Sequence, residues 1–277
     1  MNEKKLAELR KRRGPEIELL RRIAEDVQAS KEVDRDKEVS GSLAMVGHAY
    51  LPERALMVVG QAGNGAMADK WFPSKLGEGF IDDVVQTFSD PSPNGHPCPM
   101  RWVTDTWDKE RAQHVWDRKG LTTNPYSTNR SAFWQTLKGV LAKLNLADTD
   151  DDSWPSYVVW TNLYKISPAD GGNPPTPLCG AQFKYCAELL KMEIESYKPV
   201  RVLFSTGLAC AKPFLEKLGF VPDQARHGHE LGLVKDIGTL GDAAYPAPQV
   251  VVARHPAKGP KHDDWVRQVA KAFSAPK

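Results

Sequence analysis

Four short apolar runs constrain the fold of this chain more than any other feature. Each run has four or five residues, mostly β-branched, aromatic or otherwise large and apolar, and small or polar residues follow it directly. This pattern is typical of strands buried on both faces of a parallel sheet. We therefore predict an α/β fold, a three-layer α/β/α arrangement around a central four-stranded parallel sheet, with strands at residues 55–59, 157–160, 200–204 and 250–253.

Helical patterns lie between and after these runs, as a parallel sheet with covered faces requires. Apolar residues recur at helical spacing along three stretches of the chain. The three stripes are Trp134, Leu137, Leu141 and Leu144; Phe183, Cys186, Leu190 and Ile194; and Trp265, Val269 and Phe273.

The first 40 residues are charged and helical in pattern, and we expect them to pack on a single domain that spans residues 41–277. Their basic run (Lys4, Lys5 and 10–13) fits either a solvated cap on the domain or a contact to a nucleic-acid backbone. Residues 66–130 form an irregular insertion rich in turns and tryptophan. We interpret this insertion as a lid or a substrate-recognition element.

The composition excludes some classes of protein. A hydrophobic fraction of 41% and a charged fraction of 26% are ordinary for a globular domain. No apolar run approaches the roughly 18 residues of a membrane span, and the N-terminus lacks the apolar core of a secretory signal. We therefore expect a cytoplasmic protein without a membrane partner. The net charge of +2 neither indicates nor excludes nucleic acid, and four scattered cysteines do not form a disulfide framework.

Function is expected just after each strand, because ligands of parallel sheets bind at the carboxyl ends of strands. Residues 60–65 (GQAGNG) form a small-residue loop without the spacing of a Walker or dinucleotide motif. Asn162 can present a donor and an acceptor to a base edge. His255 can donate to a developing anion. Each feature alone also fits an ordinary turn, cap or loop residue.

Taken in order, these strand ends resemble the motifs of the uracil-DNA glycosylase superfamily. Residues 60–65 resemble its first motif, written GQDPYH in the uracil-specific branch and GEAPG in the iron–sulfur branch. Residues 162–168 (NLYKISP) resemble the NVVKCRPP segment of the latter branch. Residues 186–211 resemble its helix, third strand and following loop, and residues 255–257 resemble its final His-Pro motif. The resemblance covers residues 52–275, with 66–130 matched poorly.

The resemblance implies a monofunctional DNA glycosylase that hydrolyses the bond between a flipped-out pyrimidine and its sugar. It implies DNA as the partner, a monomer and no cofactor. His255 would donate to the pyrimidine O2, and Asn162 would read the Watson–Crick edge. Trp102 would cover the base, or would be a core residue. The remaining implied contacts are to the base from Gln61, Ala62 and Gly63, and to the DNA backbone from Lys165, Ser167, Lys258 and Lys261.

Two departures from the family pattern bear on the substrate. Ala62 stands where the uracil-specific branch has a water-activating Asp, so Asn64 or Asp69 would position the water; Asp69 also fits a solvated surface carboxylate. Gly63 and Asn64 replace a Pro-Tyr pair of the uracil-specific branch, in which the Tyr excludes thymine by a clash at C5 of the base. Because this Tyr is missing here, the space beside C5 is expected to be open. The expected substrate is therefore uracil or a bulky C5-modified cytosine, such as glucosylated hydroxymethylcytosine in phage DNA. Uracil as the substrate would indicate a role in DNA repair, and a C5-modified cytosine would indicate antiviral defence.

The cysteines do not fit an iron–sulfur cluster. Only Cys186 falls at a matching place, and Ile166 stands where the branch has a ligand. A zinc site from Cys179, Cys186, His227 and His229 lacks C-x₂-C spacing. The alternative function is a non-catalytic binder of modified bases or nucleotides on the same fold, which Ala62 favours. An α/β-hydrolase enzyme is disfavoured by the absence of a G-x-S-x-G motif.

Overall fold

The computed structural model describes residues 3–63, 68–89, 98–105, 107, 128–224, 232–241, 246–256 and 262–274. These ranges contain eight α-helices: α1 (Glu3–Arg12), α2 (Gly14–Ala29), α3 (Glu78–Ser89), α4 (Trp102–Asp105), α5 (Ala132–Lys143), α6 (Thr176–Tyr197), α7 (Leu208–Lys217) and α8 (His262–Ser274). They also contain nine strands: β1 (Val39–Gly41), β2 (Met45–Val46), β3 (Leu56–Gly60), β4 (Val158–Asn162), β5 (Ile166–Pro168), β6 (Arg201–Phe204), β7 (Phe220–Pro222), β8 (Val234–Leu240) and β9 (Gln249–Ala253).

The main sheet is mixed and has seven strands in the order β2-β4-β3-β6-β9-β8-β7. The four runs identified in the sequence form β4, β3, β6 and β9, which are adjacent and mutually parallel. β2, β8 and β7 add antiparallel pairs at the two edges, and β1 pairs with β5 in a separate two-stranded sheet. The α/β class is therefore confirmed, and the four predicted strands form the parallel centre of a larger, mixed sheet of seven strands.

The additional strands lack the signal that identified the central four. β2 has two residues and β7 has three, which is too short for a pattern. β8 is longer, but its sequence VKDIGTL interrupts the apolar residues with two charges and a glycine. The central strands are instead buried on both faces; β3 and β4 are buried at all five positions. Burial on both faces requires continuous apolar sequence, and edge strands are free of that requirement.

The helices cover the sheet as the three apolar stripes predict. α2 packs against α6, and α5 packs against α8. The N-terminal helices belong to the same hydrophobic core, since Leu20 and Ile23 of α2 are fully buried. Two members of the basic run face protein carboxylates: Arg10 pairs with Glu78 and Asp82 of α3, and buried Arg13 pairs with Glu16. These two side chains therefore contribute to the packing of the N-terminal helices.

The described part of the insertion is integrated into the core. α3 contributes Phe80 and Val84, both fully buried. Trp71 contacts Phe80 edge-to-face, with ring centroids 6.3 Å apart. The turn-rich residues 90–97 lie outside the described residues, as do Trp116 and its neighbours at 108–127. Among the described helices, none combines the length and apolar character of a membrane-spanning segment.

Candidate functional site

The carboxyl ends of the four parallel strands lie at one edge of the sheet and carry polar residues. β4 ends at Asn162 and β3 at Gly60, while Ser205 follows β6 and His255 lies two residues beyond β9. β3 and β6 separate β4 from β9. Three strand spacings of about 4.8 Å place the axes of β4 and β9 about 14 Å apart. Side chains projecting from Asn162 and His255 can approach a pyrimidine-sized ligand from its two sides across such a gap.

Asn162 lies directly against the backbone of β3. Its residue is 3% exposed, and it pairs with Gly60 in the parallel register. A Cβ atom on Gly60 would lie only 2.5 Å from Asn162 Oδ1. The side-chain amide of Asn162 can present both a donor and an acceptor to a polar ligand at this edge.

The loop after β3 lies beside the loop after β4. The Leu163 N–H donates to the Gly60 carbonyl at 2.8 Å, and the Tyr164 N–H donates to the Gln61 carbonyl at 3.0 Å. Gln61, Ala62 and Gly63 are each partly buried. The structure therefore brings the residues expected to line a base pocket next to Asn162. Asn64 lies outside the described residues.

The segment carrying His255 is fixed from two sides. The Arg254 N–H donates to the Leu233 carbonyl at 2.7 Å, and the Arg254 carbonyl accepts a bond from Trp265 Nε1 at 2.7 Å. His255 is partly exposed immediately beyond this anchor. The backbone that leads into His255 is thereby held at the strand edge by β8 and α8. Lys258 and Lys261, predicted to contact phosphates, lie outside the described residues.

Ser205 lies between the two predicted centres and is not among the residues predicted from the sequence. Its N–H donates to the Val59 carbonyl at 3.0 Å, and its hydroxyl is buried without a hydrogen-bond partner among the described residues. Gly207, with φ of +78°, donates its N–H to the Ala253 carbonyl at 2.8 Å and is the N-cap residue of α7. The signal available in the sequence was the run Ser-Thr-Gly directly after an apolar strand.

Lys165 does not fit its predicted contact to the DNA backbone. The side chain is fully buried, and Nζ donates to Thr161 Oγ1 at 2.7 Å and to both carboxylate oxygens of Glu193 at 2.8–2.9 Å. All three donors of the ammonium are thus used inside the protein. The prediction was wrong because a lysine after a strand gives no indication of a buried carboxylate on a distant helix.

The predicted contact of Ser167 to the DNA backbone does not fit the structure either. It is 3% exposed and lies in β5, paired with Ser40 of β1. A side chain buried in this small sheet does not reach a phosphate at the surface. The loop that precedes it, residues 163–165, is held by Gln182 of α6, whose Oε1 accepts the N–H groups of Lys165 and Ile166 at 3.0 and 2.9 Å. The loop after Asn162 is therefore held by α6 through the backbone of Lys165 and Ile166.

Trp102 is half-buried and packs against the hydrophobic core. Its ring contacts Trp134 edge-to-face at a centroid distance of 5.4 Å and Trp160 at 5.9 Å. Trp160 lies two residues before Asn162 and therefore on the same face of β4. The tryptophan cluster supports that face of the strand from below the site. These contacts fit packing against the core, and a role for Trp102 in base stacking stays a prediction.

Asp69 is exposed near the start of α3. Its backbone N–H donates to Asp83 Oδ2 at 2.6 Å, and the same oxygen accepts a bond from Trp71 Nε1 at 3.1 Å. The position fits a surface carboxylate. A role for Asp69 in positioning water stays a prediction.

No group of side chains among the described residues is arranged to hold a metal ion, and His227 and His229 lie outside those residues. The four cysteines are free, and Cys186 is fully buried in α6 with its thiol donating to Gln182 Oε1 at 3.3 Å. Burial raises the pKa of the Cys186 thiol to about 12, so that the thiolate needed for metal binding is disfavoured. Cys186 is therefore a core residue of its helix.

Two cavities within the described part of the chain lie away from the strand edge. One, of about 790 Å³, lies between α1, β2 and the end of α6, and includes Arg13, His48 and Tyr197 in its lining. The other, of about 490 Å³, lies between α5 and α8. Neither is lined by Asn162 or His255. The strand edge is therefore identified as the candidate site by its polar groups and topology.

Comparison with known proteins adds no relative: no family model matches the chain, and no curated protein matches it.

Proposed function

We propose that this chain is a monofunctional DNA glycosylase of the uracil-DNA glycosylase superfamily. It would hydrolyse the N-glycosidic bond of an extruded pyrimidine, either uracil or a bulky C5-modified cytosine, and leave an abasic site. The observation that carries the proposal is the position of Asn162, 3% exposed at the end of β4, on the same strand edge as His255. A donor-acceptor amide on one side and an imidazole on the other match the polar edges of a pyrimidine.

The chemistry is mainly electrostatic. Breaking the C1′–N1 bond leaves negative charge on the departing base; water adds at C1′, and the proton that it loses neutralises the base anion. His255 donates a hydrogen bond to the base O2 as this charge develops, and such a donor contributes about 3 kcal/mol to transition-state stabilisation. The Ser205 hydroxyl and the first N–H groups of α7 lie along the same strand edge and favour negative charge there. Asn162 selects the base through its Watson–Crick edge.

The proposed chemistry does not include a lyase step. A lyase needs a free amine as nucleophile. Lys165, the lysine nearest to Asn162 in sequence, has its ammonium bound by Glu193 and Thr161. The expected product is an intact strand with an abasic site, which is cut only on treatment with alkali.

The decisive experiment is a substrate panel. DNA containing uracil, 5-hydroxymethylcytosine or glucosylated 5-hydroxymethylcytosine is incubated with the protein, and abasic sites are measured after alkali. Release of a C5-modified base supports the open space implied by Gly63 and Asn64. Release of uracil alone would refute that part of the proposal. An absence of base release from every substrate would refute the glycosylase itself.

Variants at the two centres test the mechanism. His255→Ala is expected to lower base release by about 10²–10³-fold, the usual effect of removing one such donor. Asn162→Ala is expected to reduce release and to weaken discrimination between bases. His48→Ala and Asn173→Ala serve as matched controls, since His48 lies past β2 at the far edge of the sheet and Asn173 is exposed. Unchanged release by His255→Ala would remove His255 from the mechanism.

One observation favours a second candidate, a non-catalytic binder of modified bases or nucleotides. Ala62 carries no carboxylate to activate water, and it lies in the loop after β3, whose residue Gln61 accepts a bond from the Tyr164 N–H. Tight DNA binding without base release from any substrate in the panel would support this function.

A further inference from the structure

A β-bulge lies next to the segment that carries His255. β8 runs antiparallel to β9, so the first residues of β8 lie beside the carboxyl end of β9. The register shifts between Val234 and Asp236, which leaves Lys235 as the extra residue. A bulge changes the direction of a side chain relative to the regular alternation of a strand. Lys235 is exposed, while Val234 and Asp236 are buried.

Lys235 and Arg254 form hydrogen bonds to the carbonyl groups of two consecutive residues at this edge, Gly232 and Leu233. Lys235 Nζ donates to the Gly232 carbonyl at 2.7 Å, and the Arg254 N–H donates to the Leu233 carbonyl at 2.7 Å. Arg254 is exposed and directly precedes His255. The two basic residues therefore flank the start of the His255 segment, on a backbone fixed by β8 and by Trp265.

Neither basic side chain is neutralised by the described part of the protein. Within the described residues, no carboxylate forms an ion pair with Lys235 or Arg254. Arg10, Arg21 and Arg267, which are also at the surface, each pair with a carboxylate. Two unneutralised cations on a rigid backbone favour an anionic ligand, because little conformational entropy is lost on binding.

We propose that Arg254 and Lys235 together bind a backbone phosphate of the DNA strand that carries the extruded nucleotide. The guanidinium provides a planar fork that matches two phosphate oxygens, and the ammonium adds a point charge. The inference depends on the proposed function for its ligand, since it assumes that DNA occupies the edge at His255. Binding at this phosphate places the sugar next to the imidazole without contact to the base.

The salt dependence of DNA binding tests this inference. A labelled single-stranded oligonucleotide and the matching duplex are titrated with protein between about 50 and 200 mM salt. The double variant Arg254→Ala/Lys235→Ala is expected to bind about tenfold more weakly at the lowest salt. The plot of log K against log salt should become less steep, by about 0.7 for the single strand and about 0.9 for the duplex. These values correspond to the loss of one phosphate contact.

A matched control removes the same charge elsewhere. Lys143→Ala/Lys217→Ala removes two exposed lysines at the C-terminal ends of α5 and α7, and should leave the slope unchanged. Urea denaturation verifies that both double variants are folded. Equal slopes for the wild-type protein and the Arg254/Lys235 variant would overturn the phosphate contact alone. A wild-type protein that binds no DNA would overturn both this contact and the proposed function, whereas binding without base release would leave the contact standing.

Discussion

The position of the Asn162 side-chain amide depends on the absence of a Cβ atom at Gly60. The glycine allows the Asn162 amide to lie against the β3 backbone, where a Cβ would approach Oδ1 to 2.5 Å. Contacts this short do not occur between a Cβ and a polar oxygen, so that any side chain at residue 60 must displace the amide. The glycine is therefore a requirement of the candidate site itself.

We predict that Gly60→Ala lowers base release strongly and stability modestly. Displacement of a positioned group by about 1 Å costs about 100-fold in rate, whereas overpacking costs about 1–3 kcal/mol of unfolding free energy. Base release under single-turnover conditions and urea denaturation separate the two effects. Gly180→Ala is the control, because a Cβ there meets open space within α6 and should preserve release. Full release by Gly60→Ala would contradict this account of Asn162.

At the level of elements, the loop between β4 and β5 is fixed by a buried ion pair and an amide. Glu193 and Gln182, both on α6, hold the side chain and the backbone of Lys165, and Ser42 donates its N–H to the Lys165 carbonyl at 2.7 Å. Glu193 also accepts bonds from Thr161 and from the Ala44 backbone. One helix thereby determines the position of the segment that follows Asn162.

We predict that Lys165→Met destabilises the fold by about 3–5 kcal/mol, since it leaves the Glu193 carboxylate buried without its cation. The double variant Lys165→Met/Glu193→Leu should recover part of this loss, because an apolar pair leaves no uncompensated charge. Urea denaturation measures the free energy of unfolding of the single and the double variant. The exposed Lys184→Met variant is the control and should change stability by less than about 0.5 kcal/mol. A double variant less stable than Lys165→Met would show that the destabilisation does not come from the unpaired carboxylate of Glu193.

In the molecule as a whole, the N-terminal helices are joined to the sheet domain through a second buried charge cluster. Arg13 donates to Glu16, to Ser89 Oγ at 2.9 Å and to the Ala44 carbonyl at 3.0 Å. Tyr197, the last residue of α6, donates its hydroxyl to Glu16 at 2.7 Å. The cluster connects α2, α3 and α6 around the start of β2, and so the N-terminal helices are part of the folded unit.

This cluster predicts a dependence of stability on pH. Burial by itself raises the pKa of Glu16, but the adjacent Arg13 guanidinium and the Tyr197 hydroxyl outweigh it and lower that pKa below its ordinary 4.5. The folded protein thus binds a proton at Glu16 less readily than the unfolded chain. The stabilisation is complete above the ordinary pKa and is lost as the pH falls through the lowered folded value.

The test compares the wild-type protein with Glu16→Gln. At pH 7 the variant should be less stable by about 3–5 kcal/mol, because Arg13 loses its buried partner. As the pH falls below 4.5, the difference should shrink, since the wild-type protein loses its carboxylate as well. Thermal unfolding across this range measures the difference. A constant difference between the two proteins would show that Glu16 does not titrate as proposed.

The central strands, the covering helices and the residues at the strand ends all follow from the amino-acid sequence. A strand buried on both faces needs an apolar run, and residues that follow such parallel strands reach one common edge. Asn162 and His255 could therefore be assigned to that edge from the sequence alone. These features depend on local composition and on the periodicity of the chain.

Which polar residues face the site depends instead on contacts between distant segments. Lys165 follows Asn162 by three residues, yet a carboxylate 28 residues further along the chain turns it into the core. Ser205 emerged as an unpartnered hydroxyl among the described residues, Trp102 as a half-buried member of a tryptophan cluster and Lys235 as an exposed side chain at a bulge. The tertiary structure was needed for these outcomes, because burial and charge pairing are set by contacts between elements and leave no periodic trace in the sequence.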